Sequence, residues 1–497
     1  MPNDQTRPGW KPSTRVTLAL LCCALAAIPF LIIKFPPVTD LPQHVAQVRL
    51  FGEAVSRPDS PYRIQWMTPY SLVYALLGAA WIAVGPLNAG RIAMLIIAVL
   101  FIAMVHLLAA RLKRPPPAAA LASLLFFGHI LYWGFYQFAF GWALFMGWVI
   151  LTQVRFKNPA REAAAYLLAS AVLYYAHVLW FFMAVGWLAL QHVILKLPWR
   201  RSVARLAGAF PFIFLAFLWY PSLAEYGFRS KTVWSTIPPQ RLSPIWLVDA
   251  SFGGLRGSVE YIFLGLLAAW LFLGYRQNRR EIRSLFDRPL FFFSLFFLFL
   301  ALVLPDLHTN TTRFSQRWVP PALVFLLLGL PLPRWKKSVL TAFASAALAG
   351  FFLITSLSWR AFEKSEMSGL EESLAALPQA PRVVGLSFIK DSTIVRGRPF
   401  IQAFAYSQVL RGGELNFSFA DFGPSLVVYR ERRRIPWTSG LEWYPERAKK
   451  GDLLFFDYAL INADEKAHGA IAGEEYMKPL TREGRWRCYK VVPPQSP

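Results

Sequence analysis

The stretch FPPVTDLPQHVAQVRLF, residues 35–51, places an aspartate, a histidine and an arginine soon after the first long apolar segment. Charged groups beside a membrane segment cost free energy unless the protein uses them. The TDLP sequence predicts a helix that begins here, with Thr39 or Asp40 as its N-cap and Pro42 in its first turn. His44 follows Asp40 by four residues and lies on the same side of that helix. Asp40 is therefore either a helix cap or a carboxylate available for chemistry.

A second group of candidates lies in LPDLHTNTTRFSQRW, residues 304–318. Arg313 and Arg317 are four residues apart, about one helical turn, so both can face one phosphate group. The alternative is that both extend to lipid headgroups. Asp306 and His308 could bind a divalent ion together with Asp40, but a few scattered ligands do not define a metal site. A divalent metal is thus compatible with the sequence and is not required by it.

A third candidate is His177, within YYAHVLWFF at the end of one apolar segment and the start of the next. Its neighbours Tyr174, Tyr175 and Trp180 are typical of the aromatic girdle at a membrane interface. The same rings could instead form a wall against which a sugar stacks. The sequence leaves both interpretations open.

Composition defines the class of protein that must position these residues. The chain has 497 residues, of which 56% are hydrophobic and only 16% charged, whereas soluble proteins carry about 25% charged residues. Long apolar segments recur from Leu18 to Leu357, which predicts a polytopic all-α membrane domain. Of the 52 Lys and Arg residues, 32 lie in residues 1–359 against 11 acids. The net charge of +24 therefore reflects basic loops that set topology, and nucleic acid is not a predicted partner.

Eleven apolar segments predict membrane spans, and basic clusters separate alternate pairs of them on the cytoplasmic side. The segments are residues 16–33, 90–110, 117–134, 137–153, 162–176, 179–195, 203–221, 258–275, 289–304, 318–332 and 338–357. Residues 68–86 are also long enough to cross, and we interpret them as re-entrant or lying flat in the outer leaflet. The alternative is a twelfth span, which would put the C-terminus in the cytoplasm. With eleven spans, the outer side holds the 34–67 loop, the short WGFYQ turn at residues 133–137, His177, the 222–257 loop and the 304–318 loop.

The last part of the chain changes character. Residues 358–497 are more polar, and short strand-like runs such as RVVGLSF, SLVVYR and DLLFFDYALI alternate with Gly and Pro turns. We expect a membrane domain over residues 1–357 and a small soluble α/β domain over 358–497, on the outer, periplasmic side.

These features together resemble the GT-C class of integral membrane glycosyltransferases. The resemblance rests on the acid soon after the first span, the surface helix behind it, the multi-span core, the late outer loop ending in arginine and the outer C-terminal domain. TDLPQH resembles the Asp-x-Pro-x-His variant of poorly characterised bacterial members, and RGRPFIQAFAYSQVLRGG is similar to their C-terminal region. Leu41 follows Asp40, where several such enzymes have a second acid.

The resemblance implies transfer of a sugar from a polyprenyl-phosphate-linked donor to a lipid, glycan or protein acceptor at the outer face of the bacterial inner membrane. Asp40 would be the general base, and the anomeric centre would be inverted. His44 would orient Asp40 or contact a phosphate, unless it is simply a hydrogen-bonded interfacial histidine. The substrate-binding residues would be Arg313, Arg317, His308, Asp306 and His177.

Two other classes compete with this interpretation. A transporter is expected to carry ionisable residues at mid-span and often inverted repeats, whereas the acids here cluster at the outer ends of the segments. A non-catalytic component of polysaccharide or envelope assembly is the other alternative. The sequence contains no Walker loop and no Gly-rich dinucleotide turn. The sugar, the acceptor, the metal requirement and the oligomeric state are not determined by the sequence.

Overall fold

The computed structural model of the chain describes residues 9–194, 198–221, 231–309 and 311–492. Helices form the part before Met367, because backbone groups in an apolar environment must be hydrogen-bonded within their own segment. Several of these helices begin at a proline, whose fixed φ angle suits a first turn. The helices of this part are α1 (Pro12–Leu31), α2 (Leu41–Ser56), α3 (Leu72–Val84), α4 (Pro86–Arg111), α5 (Pro116–Ser123), α6 (His129–Tyr132), α7 (Tyr136–Leu151), α8 (Pro159–Ala176), α9 (Val178–Ile194), α10 (Trp199–Trp219), α11 (Pro244–Ser251), α12 (Val259–Asn278), α13 (Ile282–Leu285), α14 (Arg288–Val303), α15 (Val319–Gly329) and α16 (Lys337–Glu366).

Each segment predicted to span the membrane coincides with helical structure. Five helices, α1, α4, α10, α12 and α16, are long and apolar enough to cross a membrane, with lengths of 20 to 30 residues. Several of the others are shorter, so the count of eleven crossings stays a prediction. The last helix, α16, continues beyond the expected domain boundary at residue 357 and ends at Glu366.

The segment predicted to span at residues 117–134 is helical but interrupted. The chain forms α5, then a 3-10 turn over Leu124–Phe126, and resumes as the short α6 after Gly128. A Cβ atom at Gly128 would lie 2.8 Å from the carbonyl oxygen of Ser251. The interruption therefore lets the end of α11 pack directly against this backbone, which a regular helix with side chains would prevent.

Residues 68–86, which either cross the membrane or do not, contain the helix α3 of 13 residues. At 1.5 Å per residue it is about 20 Å long, against about 30 Å for a bilayer core. Gly85, with φ of 78°, separates it from α4, and the two helices pack against each other. This short hairpin is compatible with a segment that does not cross fully, and the topology of 68–86 remains a prediction.

Arginine side chains close the C-terminal ends of three helices, where the last carbonyl groups lack partners within the helix. Arg114 donates to three carbonyl oxygens at the end of α15 at 2.5 to 3.0 Å. Arg241, which is fully buried, does the same at the end of α14 at 2.6 to 3.0 Å. Arg91 binds the carbonyl groups of Phe30 and Ile33 at the end of α1. These contacts fix the places where loops leave the helices.

Short strands lie in loops between the helices before Met367, and further strands organise the chain after it. The strands are β1 (Tyr62–Ile64), β2 (Thr232–Val233), β3 (Leu307–His308), β4 (Thr311–Thr312), β5 (Arg382–Ser387), β6 (Glu414–Leu415), β7 (Val427–Tyr429), β8 (Tyr458–Asn462), β9 (Met477–Pro479) and β10 (Trp486–Val491). A mixed sheet has the order β6-β5-β8-β10-β9, in which β5 is parallel to β6 and β8, and β10 is antiparallel to both of its neighbours. The helices of this part are α17 (Leu370–Ala375), α18 (Tyr406–Arg411), α19 (Lys450–Leu453) and α20 (Glu465–Ala472). The run at residues 452–461 was predicted to be a strand, but only its second half belongs to β8. Its first residues are the end of α19.

The helix predicted to begin at the TDLP sequence is confirmed as α2, but it is not a surface helix. It lies between the membrane helices and the C-terminal part, with Gln43 and Gln47 fully buried. The side-chain amide of Gln47 donates to the carbonyl of Val427 at 3.1 Å and accepts from the N–H of the same residue at 2.8 Å. Gln43 accepts from the N–H of Phe419 at 3.0 Å. The strand β7 also pairs with β1 in the loop after α2, so this loop and the C-terminal part form one structure.

Candidate active site

Asp40 sits at the N-terminus of α2, where its backbone is held by the chain around α6. The N–H of Thr39 donates to the carbonyl of Tyr132 at 2.9 Å, and the N–H of Asp40 donates to that of Trp133 at 3.3 Å. Gly134, with φ of 79°, packs so closely that a Cβ atom there would lie 2.8 Å from the nitrogen of Asp40. The glycine therefore permits the contact that sets the position of the aspartate.

The carboxylate of Asp40 does not cap the helix. Asp40 occupies the N-cap position, yet its side chain accepts no hydrogen bond from the first turn of α2. The side chain is partly accessible, and no hydrogen bond joins it to any side chain or backbone group among the described residues. The capping alternative is thus wrong, and the carboxylate is available to a ligand.

Burial raises the pKa of Asp40 to about 7, and the nearby positive charge of Arg317 opposes this rise. The two groups are close enough for their charges to interact, but they form no ion pair within 4.0 Å in the described structure. A carboxylate with a pKa near neutrality can accept a proton at working pH.

Arg317 is buried, with 7% of its surface exposed. Its guanidinium carbon lies 3.6 Å from the ring centre of Phe135, a cation–π contact, and its Nε donates to the carbonyl of Thr312 at 3.1 Å. Burial lowers its pKa to about 9, while Tyr70 and Asp40 oppose that decrease. Arg317 therefore remains a cation at neutral pH, and it is held rigidly beside Asp40.

His177 and Tyr70 complete this cluster. The ring centres of the two side chains are 5.2 Å apart. The Nδ1 atom of His177 accepts from the N–H of Leu179 at 3.2 Å. Burial, and secondarily the charge of Arg317, lowers the pKa of His177 well below its ordinary value, so the ring is neutral. Sequence reasoning did not single out Tyr70, because an uncharged residue before an apolar segment carries no distinctive signal.

Two of the aromatic residues considered for a sugar-stacking wall are buried and do not face a binding site. Tyr174 and Trp180 are fully buried, and the indole N–H of Trp180 donates to the carbonyl of Phe138 at 2.8 Å. These two rings are part of the core and cannot contact a sugar. Tyr175 is the exception, since it lines an apolar cavity between α2, α3 and the end of α8.

His44 lies one turn along α2 from Asp40 and is buried against Tyr136 and Phe419. Its Nδ1 atom is 3.0 Å from the hydroxyl of Tyr74. Burial lowers the pKa of His44 to about 3, partly offset by a backbone hydrogen bond at Gly134. The imidazole is therefore neutral and forms a hydrogen bond with Tyr74. The hydroxyl of Tyr74 also interacts electrostatically with the charge of Asp40.

Arg313 and Arg317 do occupy one turn, since the N–H of Arg317 donates to the carbonyl of Arg313 at 3.1 Å. Arg313 has a positive φ of 52°, and its guanidinium group lies 5.2 Å from the ring centre of Trp133. It donates to Asp249 at 2.8 Å. Trp133 and Phe135 stack with ring centres 6.2 Å apart, so the two arginines cover adjacent rings of the turn that also holds the backbone of Asp40.

His308 lies in the small β2-β3-β4 sheet, and Asp306 immediately precedes β3. Asp306 accepts hydrogen bonds from Ser235 at 2.7 Å and Ser315 at 2.8 Å. Burial raises the pKa of Asp306, but these and other hydrogen bonds outweigh it and lower the pKa overall. His308 is exposed and contacts the hydroxyl of Thr232 at 3.0 Å. The described residues include no cluster of three metal-ligating side chains, so Asp40, Asp306 and His308 do not form the grouping considered from the sequence.

The C-terminal part adds residues that sequence reasoning missed. Arg396 approaches Asp249 at 3.6 Å and Glu260 at 3.8 Å. Glu260 accepts from the backbone N–H groups of Gly254 and Leu255 at 2.7 and 2.6 Å. Through Asp249, this network reaches Arg313. Part of the predicted outer loop 222–257, including Glu225 and Arg229, lies outside the described residues.

The fold can be compared with known structures. It is similar to ArnT from Cupriavidus metallidurans bound to undecaprenyl phosphate, with 13% identity over 97% of this chain and 99% of that chain and a TM-score of 0.56. The apo state of the same protein gives a TM-score of 0.52 with coverage of 97% and 98%. Arabinofuranosyltransferase AftD from Mycobacteria matches 98% of this chain and 40% of its own at 13% identity, with a TM-score of 0.51.

No protein-family model and no curated protein sequence matches the chain. ArnT and AftD are both GT-C enzymes, so the chain has a GT-C-like fold, and the resemblance is confirmed at that level. With its long apolar helices, the chain is an integral membrane protein.

Proposed function

We propose that the chain is a membrane glycosyltransferase that moves a sugar from a polyprenyl-phosphate-linked donor to an acceptor at the outer membrane face. The observation that carries the proposal is the uncapped carboxylate of Asp40, with its pKa near 7, facing the fixed cation Arg317 in a GT-C-like fold. ArnT, one of the similar structures, is bound to undecaprenyl phosphate. That ligand is a lipid phosphate of the class proposed here for the donor.

Asp40 acts as the general base of this reaction. It takes the proton of the acceptor hydroxyl as the oxygen attacks the anomeric carbon. The bond between that carbon and the donor phosphate breaks in the same displacement, so the anomeric configuration is inverted. Arg317 stabilises the negative charge that develops on the departing polyprenyl phosphate. Arg313, on the same turn, gives a second positive charge for the phosphate.

The two buried histidines have supporting roles in this mechanism. His44 is neutral and donates to, or accepts from, the hydroxyl of Tyr74, which fixes the side chains next to Asp40. His177 is neutral and packs against Tyr70, which in turn lies beside Arg317. Neither ring competes with Asp40 for the proton near neutral pH.

An apolar cavity offers a place for the hydrocarbon chain of the donor. It has a volume of about 620 Å³ and lies between α2, α3 and the end of α8, with Phe51, Trp66, Leu72 and Tyr175 among its walls. Tyr74 belongs both to this cavity and to the hydrogen bond with His44. Because the charge of Asp40 acts on Tyr74, a donor chain bound in this cavity would lead toward the proposed base. Burying a prenyl chain contributes about 0.8 kcal/mol per CH₂ group.

The donor site is tested by binding, which needs no knowledge of the sugar. Polyprenyl phosphate is titrated into the purified protein in nanodiscs, comparing the parent with Arg317→Ala and Arg313→Ala. Loss of a charge-assisted contact should weaken binding roughly tenfold or more. The matched control is Arg360→Ala, at an exposed position of α16. Equal binding by all four proteins would reject the phosphate role of both arginines.

Activity is tested by transfer of labelled sugar from a panel of polyprenyl-phosphate donors in membranes. A transporter or an assembly component with the same fold would bind lipid without releasing polyprenyl phosphate. Failure of every donor to release polyprenyl phosphate with a folded, lipid-binding protein would favour those alternatives.

A further inference from the structure

A second cavity, distinct from the apolar one, lies between α2 and the C-terminal part of the chain. Its volume is about 490 Å³. The charged residues that line it are Arg49, Glu53, Arg57, Arg382, Arg411 and Glu414. At 1.5 Å per residue along α2, Arg49 lies about 14 Å from Asp40, and Arg57 about 25 Å. The cavity is therefore remote from the reacting groups, although one helix connects the two.

The charges that line this cavity do not cancel. Both glutamates are already paired, since Glu53 binds Arg49 at 3.3 Å and Glu414 binds Arg433 at 2.7 Å. Among the described residues, Arg411 donates to the carbonyl groups at the end of α17, at 3.1 and 3.5 Å. In the part of the chain that the structure describes, neither Arg57 nor Arg411 pairs with a carboxylate. Two guanidinium groups are thus left to face a common space without a counter-charge.

The cavity is a built feature of the fold. The turn after α18 contains Gly412 and Gly413, both with positive φ, of 75° and 82°. A Cβ atom at Gly412 would lie 3.0 Å from Oε1 of Glu53, and one at Gly413 would lie 2.1 Å from the carbonyl oxygen of Pro381. The positive φ of both residues and the contact of Gly413 with Pro381 require glycine in this turn, and Gly412 lies against Glu53 of α2. The approach brings Arg411 to the same space as Arg49 and Arg57.

One wall of the cavity is aromatic. Tyr62 of β1 and Tyr429 of β7 are directly paired in the strand register, and their ring centres are 5.0 Å apart. Tyrosine rings present an apolar face and a polar edge to a bound ring. A cation cluster beside such a wall is suited to an anionic group attached to a sugar ring, because guanidinium groups bind phosphate and carboxylate oxygens in pairs.

We propose that this cavity binds an anionic group, a phosphate or a carboxylate, carried by the acceptor of the transfer reaction. The assignment of this anion to the acceptor rests on the proposed function, whereas anion binding itself does not. An acceptor held here is anchored about 14 to 25 Å from Asp40 along α2, a span longer than one sugar. Binding energy from this non-reacting group positions the acceptor hydroxyl at the base. The anion can belong to a glycan or to a lipid headgroup.

The test measures binding to the full-length protein in neutral detergent, with glucose 1-phosphate and glucuronic acid as anionic probes and glucose as the neutral probe. Arg57→Gln and Arg411→Gln should each weaken binding of the anions roughly tenfold. Arg432→Gln, which removes an exposed arginine outside the cavity, should bind as the parent does. Thermal melting of each variant confirms that it is folded.

Anion binding that is equal in the parent and the Arg57→Gln variant overturns the proposal. So does binding of glucose as tight as that of glucose 1-phosphate. The Asp40→Asn variant should bind the anions unchanged, so loss of transfer activity leaves this result intact. Nanodiscs of phosphatidylglycerol or phosphatidylcholine then identify the source. If glucose 1-phosphate is displaced in phosphatidylglycerol nanodiscs but not in phosphatidylcholine nanodiscs, the cavity binds a lipid headgroup. If glucose 1-phosphate stays bound in both kinds of nanodisc, the cavity binds a glycan anion.

Discussion

Replacing Asp40 by asparagine removes the proposed base while preserving the size of the side chain. If Asp40 accepts the proton of the acceptor hydroxyl, transfer of labelled sugar should slow by roughly a hundredfold or more. In the parent protein, activity should also fall as the pH is lowered through about 7, because the carboxylate with that pKa then becomes protonated and cannot act as a base.

The same substitution has a distinctive effect on stability. The pKa of Asp40 is about 7 in the folded protein against an ordinary value of 3.8, with burial as the main cause. The folded state therefore binds the proton more tightly than the unfolded state, and its stability decreases as the pH rises between those two values. A shift of about three units corresponds to on the order of 4 kcal/mol, at 1.36 kcal/mol per unit, above pH 7.

An asparagine carries no charge and avoids this cost. The Asp40→Asn variant should equal the parent in stability near pH 4 and become more stable than the parent by about 2–4 kcal/mol at pH 8. A residue with a structural role would show the opposite, because its replacement removes a stabilising contact. Gain of stability together with loss of activity is the signature expected of a functional carboxylate.

The measurement combines thermal unfolding of the purified protein at pH 4 and pH 8 with the transfer assay. Asp59→Asn is the matched control, since Asp59 is exposed in the loop after α2 and its replacement should change neither property. Near-parental activity of Asp40→Asn would reject the base assignment. A variant that is less stable than the parent at pH 8 would refute the reasoning about burial of the charge.

Three further predictions follow from other parts of the molecule. Gly134→Ala adds a Cβ atom 2.8 Å from the nitrogen of Asp40 and should slow transfer about a hundredfold by displacing the aspartate. The control Gly147→Ala meets only the sulfur of Met104, at 3.6 Å, and should not slow transfer. Equal rates in the two variants would contradict the positioning role of Gly134. Arg205→Ala breaks the buried pair with Glu162, 2.7 Å between α8 and α10, and should lower stability in thermal unfolding by about 3–5 kcal/mol, more than joint replacement of both residues by Leu. For topology, a C-terminal alkaline phosphatase fusion should be active, and a fluorescent C-terminal fusion protein with an inactive phosphatase fusion would refute an outer C-terminus.

The helical part of the fold could be predicted because its signal is local. Apolar length, proline at helix starts and basic ends identify the segments that became α1, α4, α10, α12 and α16. The break at Gly128 could not be predicted, because it depends on the approach of Ser251, more than a hundred residues away. A local pattern cannot report which backbone will pack against a glycine.

The candidate site divides in the same way. Asp40, Arg317 and His177 were identified from residue type and position, since ionisable side chains are rare and costly beside a membrane. Tyr70 was missed because it carries no charge, and it enters the site only through its ring contact with His177. Asp40 looked equally suited to capping, and only the geometry of its side chain excluded that role.

The sequence alone determined the membrane class, the order of the apolar segments and the few charged residues that could perform chemistry. Tertiary structure decided which of these residues meet and what their protonation states are. The pairing of β1 with β7 and the contacts of Gln43 and Gln47 join residues more than 350 positions apart. Such contacts depend on how distant segments pack, and the raised pKa of Asp40 depends on the burial that this packing produces.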